Sequence, residues 1–157
     1  MVIFAGLSYT VAREGDNEAA TGWDAAAGIL LVSDAMGGHA AGQLASRIAC
    51  DTVLKSLTER SVEEAIMLAH QAIVSDAEAH PENKGMGTTI VTASVHDGVL
   101  DVHWVGDSRA YLFREGELTQ ISVDHSFIEM LRERVNMTEE EMMNHPQKNL
   151  LTKFLAH

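Results

Sequence analysis

Thr88-Thr89-Ile90-Val91-Thr92-Ala93-Ser94-Val95, then His96-Asp97-Gly98, then Val99-Leu100-Asp101-Val102-His103-Trp104-Val105, is the stretch that decides the fold. Two β-rich runs around an Asp-Gly turn read as a hairpin. Asp-Gly takes the left-handed backbone angles that a tight turn between twisted strands demands. A second pair follows, Ala110 to Phe113 and Glu117 to Ile121, joined by Glu115-Gly116. Strands joined this tightly are antiparallel, so a doubly wound parallel sheet is excluded and an α+β architecture is expected.

Upstream, Ala27-Gly28-Ile29-Leu30-Leu31-Val32-Ser33 is a short apolar run ending abruptly at Asp34. It reads as a strand buried on both faces. Val2 to Val11 reads as a further strand, followed by a polar turn, Arg13 to Glu18. After Asp34, the glycines Gly37, Gly38 and Gly42 punctuate a turn into a helix over about Ala41 to Leu57. Its apolar residues Ala45, Ala49, Val53 and Leu57 recur at a spacing of four. A second helix starts at Ser61, where Ser61 and Glu64 form a capping box, and carries the stripe Ile66, Ala69, Ile73 and Ala77. His80 to Gly85 ends it in a loop. Downstream, Ser126 to Arg134 and Thr138 to Asn144 read as helices; the latter opens with the capping box Thr138/Glu141 and stops at Pro146. The apolar segment Asn149 to His157 has no visible partner after it.

The length of 157 residues fits a single domain over 1–157 with a core of its own. A formal charge of −12 argues against nucleic acid and anionic membrane as partners. No apolar run approaches the roughly 20 residues of a membrane span, and Met1-Val2-Ile3-Phe4 lacks the basic flank of a signal peptide. One cysteine, Cys50, excludes an internal disulfide and suits a reducing, cytoplasmic setting.

Three polar turns sit beside hydrophobic strands, where a rigid sheet holds functional side chains in place. They are Arg13 to Glu18, Asp34 to His39, and Gly106-Asp107-Ser108-Arg109. Asp34 and Asp107 are carboxylates at strand ends. Hard oxygen ligands of this kind suit Mg²⁺ or Mn²⁺, although Asp before a Gly-rich bend also caps turns routinely. The eight histidines form no HExxH pair or Cys/His cluster, which argues against zinc. There is no P-loop and no GxSxG turn, and Cys50 lies in a helix stripe as a small buried thiol.

In combination these turns resemble the metal-dependent serine/threonine protein phosphatases of the PPM (type 2C) family, in their bacterial form. Val32-Ser33-Asp34-Ala35-Met36-Gly37-Gly38-His39-Ala40-Ala41-Gly42 is similar to the family's Asp-Gly-Met-Gly-Gly-His-Ala-Ala-Gly turn. Gly85-Met86-Gly87-Thr88-Thr89 is similar to its Gly-Met-Gly-Thr-Thr strand entry, and Val105 to Tyr111 matches Val-Gly-Asp-Ser-Arg-Ala-Tyr without change. Leu118 to Ser126 and Asn149-Leu150-Leu151-Thr152 continue the match in order.

The resemblance implies two stacked antiparallel sheets flanked by helix pairs. It also implies hydrolysis of phosphoserine and phosphothreonine in proteins phosphorylated by a Ser/Thr kinase, by water activated on two or more Mn²⁺ or Mg²⁺ ions. By position, Asp34 resembles the carboxylate bridging both metals, and Ala35 stands where the family offers a glycine carbonyl. Asp107 resembles the ligand of an additional metal. Arg13 resembles the arginine that grips the phosphate, and His39 is a candidate for protonating the leaving alkoxide. Counting from Arg13 puts Glu18 at the position of a further family aspartate; matching Asn17-Glu18 puts Ala19 there. The family continues with Ser-Asp-Gly and Gly-Asp-Asn motifs whose aspartates complete the two-metal site. The resemblance therefore implies a domain incomplete at its C-terminus, with open sheet edges through which copies self-associate. The competing reading is a catalytically inactive phosphatase-like module that binds phosphoproteins or a kinase.

Overall fold

A computed structural model describes residues 18–36, 39–135 and 137–156. The strand expected at 2–11 lies outside the described residues. In chain order, β1 (Ala20–Asp24), β2 (Ile29–Ser33) and β3 (Ala35–Met36) lead into α1 (His39–Ser56) and α2 (Val62–Ala79). Then come β4 (Gly87–Thr88), β5 (Ile90–His96), β6 (Val99–Val105), β7 (Tyr111–Arg114) and β8 (Glu117–Gln120), followed by α3 (Phe127–Arg134) and α4 (Glu139–Asn144).

The antiparallel α+β expectation holds. The main sheet has the order β1-β2-β5-β6, and β3-β4 and β7-β8 form two small two-stranded sheets. The β5–β6 turn places Asp97 and Gly98 at positive φ, 51° and 80°, as Asp-Gly suggests. Glu115 and Gly116 do the same between β7 and β8, at 55° and 87°. Both capping boxes form: Ser61 with Glu64 opens α2, and Thr138 with Glu141 opens α4.

Two strands are absent from the sequence reading, β1 and the two-residue β3, which lies in the segment read as a turn. β1 pairs along its length with β2, from Ala20 opposite Ser33 to Asp24 opposite Ile29. Asp24 makes the turn between them, its Oδ1 accepting from the N–H groups of Ala26 (2.8 Å) and Ala27 (3.1 Å). Gly22 lets β1 approach α1 closely, since a Cβ there would stand 2.8 Å from Leu54 Cδ1.

The core lies on one face of the main sheet. Leu31 and Ile90 pack with Ala45, Ala49, Cys50 and Val53 of α1 and with Ala65, Ile66, Ala69 and Ile73 of α2. Burying each Leu, Ile or Val here contributes about 1.5–3 kcal/mol. Burial also pushes the Cys50 thiol up to about 12, so it serves as packing rather than as a nucleophile.

Two expectations need correction. The Ala27–Ser33 run is sealed on one face only: Ile29, Leu31 and Ser33 are buried, whereas Val32 is 38% exposed. The closing segment also finds partners. Leu155 exchanges both backbone hydrogen bonds with Thr88 (3.1 and 2.9 Å), and the Ala156 N–H donates to His70 Nδ1 (3.0 Å). Leu155 and Ala156 are buried as a result, while Leu150 is left half in solvent.

Candidate functional site

Asp34 sits where the chain leaves β2 for β3, and its main chain is gripped on both sides by the Thr88-Thr89 pair. Its N–H donates to Thr89 Oγ1 (3.1 Å), and its carbonyl accepts from the Thr89 N–H (2.9 Å) and from Thr88 Oγ1 (2.9 Å). The hydroxyls that do this are buried, so each must find a partner. Ser33 Oγ donates to the Thr89 carbonyl (2.7 Å) and lies 2.7 Å from Thr88 Oγ1. The backbone is thus fixed while the residue itself remains exposed.

Ala35 pairs with Thr88 across β3–β4. Thr88 spends both its N–H and its C=O on Leu155, so the Ala35 carbonyl points away from β4. Gly42 of α1 makes the room that the Ala35 methyl needs. A Cβ on Gly42 would stand 3.0 Å from Ala35 Cβ and 3.1 Å from Glu18 Oε2. The Glu18 carboxylate and Ala35 therefore stand over the same spot on α1. The Glu18 carbonyl is anchored by Ser46 Oγ at 2.8 Å.

The turn after β6 is built against the same threonine. Gly106 has φ 109°, and a Cβ there would lie 2.5 Å from Thr89 Cγ2, so only glycine fits. Ser108 Oγ lies 2.6 Å from Thr89 Oγ1. Gly106 donates its N–H to His125 Nδ1 (3.1 Å) and accepts from the His125 N–H (2.9 Å). The His125 ring stacks on Trp104 with centroids 6.2 Å apart, and Trp104 Nε1 donates to the Val123 carbonyl (2.7 Å). Burial chiefly, with Lys153 nearby, holds His125 below the ordinary histidine value, which keeps Nδ1 an acceptor. Arg109 forks onto Asp124 through Nε (2.9 Å) and Nη2 (2.6 Å), a bond that raises the guanidinium pKa further and fixes it as structure. Asp107 is exposed at the tip of this turn.

The structure brings Asp34, Ala35 and Glu18 to one end of the main sheet and ties the Asp107 turn to them through Thr89. His39 is the first residue of α1; Arg13 lies outside the described residues. Ser33, Thr88, Thr89, Ser108 and His125 are the members that reading for carboxylates misses. The signal for Ser33, Thr88 and Thr89 is hydroxyl residues on or beside strands otherwise rich in aliphatics. The donor set is all hard oxygen, which fits Mn²⁺ or Mg²⁺ in kind. Among the described residues no group of three or more His, Cys, Asp or Glu closes around one point, so these side chains alone assemble part of a coordination shell.

The chain is 36% identical over 143 residues to the serine/threonine protein phosphatase PstP of Mycobacterium tuberculosis, covering 84% of this chain and 27% of that protein. It is 36% identical over 139 residues to the serine/threonine phosphatase stp of Listeria monocytogenes, covering 82% of this chain and 55% of that one. Among solved structures, the M. tuberculosis PstP/Ppp crystal structure superposes with a TM-score of 0.81 at 32% identity, over 92% of this chain and 63% of its own. A structure of the PstP catalytic domain in complex with two manganese ions superposes with a TM-score of 0.77 at 30% identity, over 92% of this chain and 62% of its own. The chain thus spans about half or less of these curated relatives. The family model described as Protein phosphatase 2C matches residues 13–156, running through every turn of the site, and by that match the chain belongs to the protein phosphatase 2C family.

Proposed function

We propose that the chain is a metal-dependent protein serine/threonine phosphatase domain that hydrolyses phosphoserine and phosphothreonine with two or more Mn²⁺ or Mg²⁺ ions. The observation that carries this reading is the pair of carboxylate turns, Asp34 and Asp107, locked to one another through Thr89 at the end of the sheet. Asp34, the Ala35 carbonyl, Glu18 and Asp107 would hold the cations. When bound, such ions polarise the phosphate and the attacking water. Asp34 contributes a carboxylate whose backbone cannot shift, the preorganisation a ligand needs. Arg13 offers a planar fork suited to two phosphate oxygens. As the water oxygen bonds phosphorus and the P–O bond to the substrate side chain breaks, His39 gives the leaving alkoxide its proton.

The same reading takes 1–157 as one phosphatase-like domain, shorter than the family domain, acting on the products of a Ser/Thr kinase in signalling within a bacterial cytoplasm. No helix among the described residues is long and apolar enough to cross a membrane. Nucleic acid and membrane are not among its partners, and copies self-associate through open sheet edges. The inactive-module reading draws no support from the relatives named above, which are phosphatases.

Calorimetric titration of Mn²⁺ into the chain and into Asp34→Asn tests the reading. The expected loss in the variant is at least the roughly tenfold that follows removal of a ligand's supporting partner. Superimposable isotherms would reject the metal site.

A further inference from the structure

Thr89 is buried and reaches both the Asp34 turn and the Asp107 turn. Its Oγ1 accepts from the Asp34 N–H on one side and bonds Ser108 Oγ on the other, at 3.1 and 2.6 Å. Its Cγ2 fills the space over Gly106 that any larger residue would occupy. One side chain thus meets the Asp34 turn through its hydroxyl and the Asp107 turn through both hydroxyl and methyl. A hydroxyl carries a single proton. If Thr89 donates to Ser108, its lone pair serves Asp34; if Ser108 donates, Thr89 still accepts from Asp34. In either arrangement a displacement of Ser108 changes the acceptor that the Asp34 amide sees.

We propose that Thr89 is a positioning residue that couples the Asp34 and Asp107 turns, so that occupancy of one carboxylate by a divalent cation alters the affinity of the other. This rests on the phosphatase reading above for its metal, but the coupling itself belongs to the chain. Coupling of this kind is reciprocal. Thr88 also holds the Asp34 carbonyl, through Oγ1 at 2.9 Å. A β-branched residue suits the role because its χ1 is stiff, so the hydroxyl cannot swing from one turn to relieve the other.

The test has a metal-free arm and a metal arm. In metal-free protein, Ser108→Ala is expected to shift the Asp34 amide resonance and speed its hydrogen exchange. In a Thr89→Val background the same substitution should leave Asp34 unmoved. Thr89→Ser keeps the hydroxyl and should restore the response; it also serves if the valine variant fails to fold. An Asp34 amide that ignores Ser108→Ala in wild type, or responds equally without the Thr89 hydroxyl, overturns the proposal. In the metal arm, Mn²⁺ titrated by calorimetry should bind about tenfold or more weakly to Thr89→Val, with recovery in Thr89→Ser. Wild-type protein that takes up no Mn²⁺ would overturn the proposal together with the metal reading, whereas Mn²⁺ uptake that Thr89→Val leaves unchanged would overturn the proposal alone.

Discussion

The two faces of the main sheet differ in cover far more than in composition. On the helix side, Ile29 and Leu31 of β2 lie opposite Ser94 and Thr92 of β5, all four buried, with Leu31 packed in the core formed with α1 and α2. On the other side, Leu30 and Val32 face Ala93 and Val91, which in turn face Val102 and Trp104 of β6. This second face is the more uniformly aliphatic on β5, yet Val32, Leu100 and Trp23 stand 38%, 41% and 56% exposed. Cross-strand pairs share a face, so the apolar residues form a continuous surface rather than scattered points. Hydroxyls on the covered face and aliphatics on the open one invert the usual rule. The difference teaches that both faces of this sheet are made for burial, and that the covered one accommodates hydroxyls such as Thr92, whose Oγ1 donates to the His103 carbonyl.

The sharpest way to break this contrast is a pair of neighbouring substitutions on one strand. Leu31→Ala, beneath the helices, is expected to cost about 2–5 kcal/mol of stability. Val32→Ala, one residue on, should cost well under about 1 kcal/mol because water already reaches it. Urea unfolding of both variants checks the pair, and equal losses would show that the open face is covered in solution. The next effect is on association. The double variant Val32→Lys with Leu100→Lys should weaken the self-association proposed above about tenfold, or about 1.4 kcal/mol. Light scattering across a dilution series reads this directly, and an unchanged mass would exclude this face and the neighbouring β6 edge.

The smallest effect concerns a corner of the open face that has local cover, Trp104 under His125. His125 is held below its ordinary value of 6.5 in the folded state. The unfolded chain therefore binds the proton more readily, and stability rises with pH in that window. The contribution is complete above the ordinary value and is lost as pH falls below it through the folded value. Protonation also places a proton on Nδ1 facing the Gly106 N–H. A denaturant midpoint that drops modestly on acidification, and drops less in His125→Gln, is the expected result.

Much of this molecule is legible from local chemistry. Capping boxes at Ser61 and Thr138, and the Asp-Gly and Glu-Gly turns, fix their own geometry within a few residues, and each forms as read. Asp34 and Asp107 stand out because charge at the end of an apolar strand demands compensation. Ala20–Asp24 does not stand out, because Ala-Thr-Gly-Trp-Asp has no period of its own. It becomes a strand by pairing with β2 and by Gly22 resting against Leu54, which are tertiary facts. Thr89 escapes for the opposite reason. It looks like an ordinary strand residue, and its importance lies in which distant turns its hydroxyl reaches. The one-sided cover of β2 is invisible as well, since an apolar run states that burial is wanted and not by what.

The seam between Thr88 and Leu155 carries a consequence for the order of assembly. Its two hydrogen bonds join residues separated by nearly half the chain, with β5 through α4 looped out between them. Closing so long a loop is entropically unfavourable until the intervening strands have paired. Contacts of such sequence separation slow folding and form late. The α1–α2 pair and the β5–β6 hairpin, built from near neighbours, are the natural early structure. Thr88 receives Leu155 only afterwards, so the strand pair beside Ala35 gains its outer partner among the later steps. The carboxylate end of the sheet therefore depends on contacts of long sequence separation, and a nascent polypeptide is expected to reach its helical core before it possesses a finished site.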